Sequence, residues 1–198
     1  MLAFITWHRP ATGVEPAAYE QALERFHRSL AHRPPSGFRA SAALRAAELP
    51  WLVSPAGAED PGAGYEDWYL VDGWSSLGVL EEAAVARGHI TRHDAVAAKA
   101  GASTGAIYRL SDGHPRLGDA RVGVWVTPDP GHAPPTIADL MADGMDRAAA
   151  GLWRRCLGLG PAPEYCLLAP EAPAGVADTR LPAGWKASAC AREVLWAS

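Results

Sequence analysis

Lysine is almost missing: Lys99 and Lys186 are the only two in 198 residues, and no cluster of arginines replaces them. With a formal charge of -4 and a pI near 6.0, the chain has no surface suited to neutralising phosphates, which argues against a nucleic-acid partner. Long apolar runs are absent too. No stretch approaches the 18 or so uninterrupted apolar residues of a membrane-spanning helix, so no membrane partner is expected. The apolar run that opens MLAFITWHRP is too short for a signal sequence, and its positive charge follows rather than precedes it. Cysteine is scarce: Cys156, Cys166 and Cys190 form no CxxC pair. Wide spacing and an odd count fit buried thiols in a reducing compartment, so the expected location is cytoplasmic. No GxGxxG, GxxxxGK[ST] or GxSxG motif occurs, leaving phosphate cradling and a serine nucleophile elbow unsupported.

What is present suits one large folded unit: 48% hydrophobic and 20% charged residues. Leu2 to Arg9 reads as a strand ended by Pro10-Ala-Thr-Gly13. From Pro16 to about Ala31, Tyr19, Leu23, Phe26 and Leu30 repeat with helical spacing. Phe38 to Leu44 can form a second strand. The stretch 49–64 reads as a long loop in which Trp51, Leu52 and Val53 favour burial. YEDWYLVD (65–72) is a third strand, followed by a helix from Ser75 or Ser76 carrying Leu77, Leu80 and Ala84. A short helix from about His93 to Ala100 has Thr91 and Asp94 at capping-box spacing. Ala106 to Leu110 is a fourth strand.

The order β-α-β-β-α-β then begins again. RVGVWVT (121–127) is a strand; Thr136, with Asp139, caps a helix whose apolar positions run from Ile137 to Leu157; 164–169 and 186–196 are strands. The second half lacks one convincing helix, whose place falls in 172–184. The expected fold class is α+β, with two ferredoxin-like (βαββαβ) halves, 1–117 and a shorter 118–198, packed as one pseudo-two-fold α/β barrel.

This element order, with the segment YEDWYLVDGWSSLGVLEEAAV, resembles the dimeric α/β-barrel superfamily and its tandem-repeat, uncharacterised bacterial members. That group includes cofactor-free antibiotic-biosynthesis monooxygenases, EthD-like proteins, stress-responsive barrel proteins and haem-binding chlorite-dismutase relatives. The resemblance implies a barrel that binds a small hydrophobic molecule. A monooxygenase-like or cyclising step is one implication, haem on an unspecified histidine another, and a homodimer a third. No family catalytic residue matches a position here.

Strand alternation nominates the candidate residues. Val122, Val124 and Val126 share one face and suit helix packing, which sends Trp125 to the interior. In YEDWYLVD the more apolar assignment sends Trp68 and Leu70 to the helices and Tyr65, Asp67 and Tyr69 to the interior, as a pocket wall. Trp7 and Arg9 lie opposite Thr6 and His8, with the inward pair undecided. The acid/base candidates are Asp67, His93 and His8, and the ligand-binding candidates are Tyr65, Tyr69, Trp125, Trp7 and Arg9. The bland alternatives stay open: tyrosine and tryptophan suit strands in any case, and His27 on an apolar helix face reads as a core-edge residue. His89 and His93 have metal-ligand spacing with Asp94, but a helix capped at Thr91 puts His89 outside it, so no metal site and no required cofactor are expected. A non-catalytic barrel whose aromatics form an internal interface is the competing class.

Overall fold

Residues 1–52, 64–86, 89–114, 116–141, 146–170 and 184–198 are described by the structure, a computed structural model. The strands are β1 (Leu2–Pro10), β2 (Phe38–Ala46), β3 (Gly64–Val71), β4 (Ala100–Gly113), β5 (Val122–Pro128), β6 (Gly151–Gly158), β7 (Tyr165–Ala169) and β8 (Trp185–Ala197). The helices are α1 (Pro16–His32), α2 (Trp74–Ala86), α3 (Ile90–Ala97) and α4 (Ile137–Leu140). All eight strands close into one antiparallel barrel in the order β1-β3-β2-β8-β5-β7-β6-β4. Each strand therefore has a buried inner face and an outer face for helices or solvent.

An eight-stranded barrel is just wide enough to be filled by side chains. Here the filling is tryptophan: Trp7, Trp68, Trp125 and Trp153 are each at most 2% exposed. Trp7 and Trp125 meet edge-on with centroids 5.2 Å apart, and Trp68 meets Trp153 at 5.6 Å. These are favourable aromatic geometries. Between them lies a fully buried ion pair, Arg192 Nη2 to Glu66 Oε2 at 2.7 Å. The guanidinium stacks over Trp125 at 5.3 Å and Trp68 at 5.8 Å, and Trp68 Nε1 donates to Glu66 Oε2 at 3.0 Å. Room for Arg192 comes from Gly123 on β5, where any Cβ would collide with the guanidinium.

On β5 the expected sorting holds. Val122, Val124 and Val126 pack outward with Ile137 and Leu140, while Trp125 joins the interior cluster. On β3 it is reversed: Glu66, Trp68 and Leu70 face the interior, and Tyr65 and Tyr69 lie in the clusters beneath the helices. The inner-wall reading of Tyr65, Asp67 and Tyr69 is thus corrected. Both β3 faces are amphipathic, and the inner carboxylate is Glu66 because Arg192 arrives from β8 to neutralise it.

The helix after β5 is another correction. The capping box forms as expected, with Asp139 N donating to Thr136 Oγ1 at 3.3 Å and Thr136 N to Asp139 Oδ2 at 2.8 Å. However, α4 ends at Leu140, and Gly151–Gly158 is strand β6. Consecutive Leu152 and Trp153 fall in clusters on opposite sides of the sheet, a strand's alternation. Pairing of β6 with both β4 and β7 overrides local helix propensity. Helix α3 also starts earlier than expected, at Ile90, with His89 rather than Thr91 at its cap. Leu52 is buried and Trp51 half-buried, as expected; Val53 and nearly all of 172–184 lie outside the described residues.

Candidate functional site

Because Trp7 takes the inner face of β1, His8 and Thr6 take the outer one. Because Glu66 and Trp68 point inward on β3, Asp67 points out. The β1–β3 register pairs Thr6 with Asp67 and His8 with Tyr65, which makes His8 and Asp67 diagonal neighbours on one surface. Helix α1 crosses that surface with Tyr19, Leu23, Phe26, His27 and Leu30, the side its apolar spacing selects.

His8 Nε2 lies 3.1 Å from Asp67 Oδ2, and His27 Nε2 lies 3.2 Å from Asp67 Oδ1. Tyr69 donates to Asp67 Oδ2 at 3.3 Å. The chain of contacts extends both ways: Tyr19 OH is 2.8 Å from His8 Nδ1, and Ser41 Oγ is 2.9 Å from His27 Nδ1. The rings are stacked as well, His27 on Tyr69 at 5.0 Å and His8 on Tyr65 at 5.9 Å. Asp67 is 4% exposed, His8 5% and His27 0%. Burial alone would raise the Asp67 pKa, but attraction to His8 and His27 outweighs it and holds the carboxyl well below the usual carboxylate range. The hydroxyl of Tyr19 is pushed up, first by burial and then by the Asp67 charge, and Tyr69 follows for the same reasons. Both phenols therefore stay protonated and available as donors. His8 Nε2 and Asp67 Oδ1 have close neighbours but no well-aligned hydrogen bond among the described residues.

This cluster forms the polar end of a cavity of about 440 Å³ between the outer face of the sheet and helices α1, α2 and α3. Its volume falls within the range of small-molecule sites. The remaining walls are mostly apolar, with Phe4, Phe26, Leu80, Val96 and Ile107 representative, and Glu81 and His93 lie among the helical residues. His93 is half-buried, with Nδ1 3.3 Å from Asp94 Oδ1 and its ring 5.8 Å from that of Phe26.

The three acid/base candidates, Asp67, His93 and His8, thus line one cavity, together with Tyr69. The other ligand-binding candidates lie elsewhere. Trp7 and Trp125 are in the barrel interior. Arg9 donates to the Leu52 carbonyl at 3.2 Å. Tyr65 stands at the edge and donates to Glu20 Oε1 at 3.0 Å, an oxygen also held by Arg45. His89 and His93 serve different ends, since His89 Nδ1 is 3.0 Å from Ser29 Oγ and ties α3 to α1. Sequence reasoning missed His27 and Tyr19 as members of the site. The available signal was a histidine and a tyrosine on the buried face of an amphipathic helix, where each must find a polar partner.

No family model matches the chain. No curated protein matches it. Among solved structures, it is similar to a crystal structure described as a "Putative Chlorite dismutase", at 13% identity over 98% of this chain and 95% of the other, with a TM-score of 0.52. At that identity the likeness concerns the fold.

Proposed function

We propose that the chain binds a small, apolar, ring-containing molecule in the cavity between β1, β3 and helices α1 to α3, and that His8 moves a proton at its polar end. The observation that carries this reading is the buried, ionised Asp67 set between two histidines at the end of an otherwise apolar chamber. Asp67 is too weak a base to take a proton near neutrality; its role is to orient His8 and balance its charge. Tyr19, against Nδ1, fixes the other side of the ring. His93 on the opposite wall is the second acid/base candidate. Such a site suits transfer of a proton to or from a ring hydroxyl or an acidified C–H, a step that opens a cofactor-free monooxygenase-like reaction.

Haem, one implication of the resemblance to the dimeric α/β-barrel superfamily, does not suit this cavity. Among the described residues its acidic and imidazole lining is Asp67, Glu81, His8 and His93, with no Arg or Lys to meet two propionates.

The fold is read here as two ferredoxin-like halves, 1–117 and 118–198. Support comes from the repeated strand order, β4-β1-β3-β2 and then β8-β5-β7-β6, joined by the β2–β8 and β4–β6 pairings. A homodimer is part of the same reading, and exposed Trp74, Val79 and Val85 on α2 are consistent with one. For Trp7 and Trp125 the competing structural role is the better supported, since their rings pack against each other in the core.

Native mass spectrometry with a visible absorption spectrum identifies a retained molecule and the oligomeric state. Titration with 1-naphthol then tests the cavity. Wild type is expected to bind it, and Ala84→Trp to lose it by filling the chamber. Equal binding by Ala84→Trp overturns the assignment.

A further inference from the structure

At one end of the barrel lies a second cavity, of about 510 Å³, which shares no residue with the first. The end of β5, the start of β8, β6, the loop before β7 and the residues after β2 converge on it. Its lining includes Trp51, Trp125, Arg155, Lys186, Thr127 and Ser188, with prolines and alanines between them and no Asp or Glu among the described residues. In a protein of net charge -4, this is a locally cationic recess.

The hydrogen-bonding groups there are unbalanced in one direction. Arg155 donates through Nη1 to the Ala162 carbonyl, and Tyr108 OH donates to the Pro163 carbonyl at 2.6 Å, so two rim acceptors are taken and the loop is fixed. Thr127 Oγ1 accepts from Glu164 N at 3.4 Å. Lys186 is exposed and makes no ion pair among the described residues. Trp125 is 2% exposed and forms the floor, with its indole N–H and that of Trp51 turned into the packing and away from the recess. The charged side chains that line the recess are both cationic. The complement of such a surface is an anion, and the half-buried Trp51 indole, stacked edge-on against Trp125 at 5.0 Å, offers it an aromatic wall.

We propose that this barrel mouth is a second ligand site that takes a small aromatic carboxylate, its carboxylate against Arg155 and Lys186 and its ring against Trp51. The site stands apart from the proton-transfer reading of the first cavity. The test is isothermal titration of the full chain with benzoate and with its neutral counterpart benzamide. Benzoate is expected to bind saturably and benzamide at least about tenfold more weakly, the scale of one charge-assisted contact. Lys186→Met changes an exposed side chain and should keep the melting temperature while weakening benzoate about tenfold. Arg155→Met should weaken it at least as much. Equal affinity for benzamide, wild-type benzoate affinity in Lys186→Met, or no benzoate binding overturns the proposal.

Discussion

Asp67 Oδ1 lies 3.2 Å from Nε2 of His27, a residue with none of its surface exposed. The opposite carboxylate oxygen faces His8 at 3.1 Å, so a single side chain joins helix α1 to strand β1 through charge. Replacing it removes the common partner of two buried histidines. Asp67→Asn is expected to cost about 2–4 kcal/mol near pH 7, within the range for breaking a buried polar contact or ion pair.

The acid limb follows from the same group. Its folded pKa lies below its unfolded value of about 3.9. Its contribution is therefore present above about pH 4 and is lost as pH falls toward the folded value. Urea unfolding at pH 7 and pH 3 should show a gap between wild type and Asp67→Asn that narrows in acid. A gap equal at both values assigns the loss to packing instead of charge.

All five tyrosines have hydroxyls pushed up, burial being the largest cause for each, and Tyr65 is raised to about 12. In the folded protein the tyrosinate absorbance should therefore rise at higher pH than in the unfolded chain, whose tyrosines titrate near about 10. A raised phenol pKa means that the unfolded chain releases the proton first, so stability falls as pH climbs above about 10. A folded-state tyrosinate titration that coincides with that of the unfolded chain contradicts this.

Arg192 and Glu66 are both 0% exposed at the side chain. Arg192→Met leaves Glu66 without its counter-charge inside the barrel, and is expected to cost about 3–5 kcal/mol. Adding Glu66→Gln should recover part of that loss. A double-mutant cycle by urea denaturation measures the coupling, and simple additivity rules it out.

Gly123 is required by space. Gly123→Ala places a methyl group against the Arg192 guanidinium and should cost about 1–3 kcal/mol by overpacking. In an Arg192→Ala background most of that penalty should vanish, as melting temperatures of the four combinations would show. A penalty unchanged in that background places the strain elsewhere.

Most of the chain's elements were legible before the fold because their patterns are local. The α1 face, the β5 alternation and the Thr136 cap each depend on residues within a turn or a strand of one another; His8 and Asp67 were nominated as polar groups beside aromatics, and His93 by the adjacent Asp94. The orientation of β3 was not legible. Glu66 and Asp67 are adjacent acids on opposite faces, and which of them turns inward depends on Arg192, far along the chain, and on the gap at Gly123. Strand β6 was hidden for a related reason: its leucine and tryptophan satisfy a helical period as well as a pleated one, and only pairing with β4 and β7 selects the strand.

The sequence alone determined the order of elements through β5 and the supply of aromatics, histidines and carboxylates, since periodicity and residue chemistry are properties of neighbours in the chain. Tertiary structure alone decided that His27 and Tyr19 join His8 around Asp67, and that the tryptophans fill the barrel while the cavity lies outside it. Those outcomes rest on contacts between distant segments and on where a buried charge finds its counter-charge.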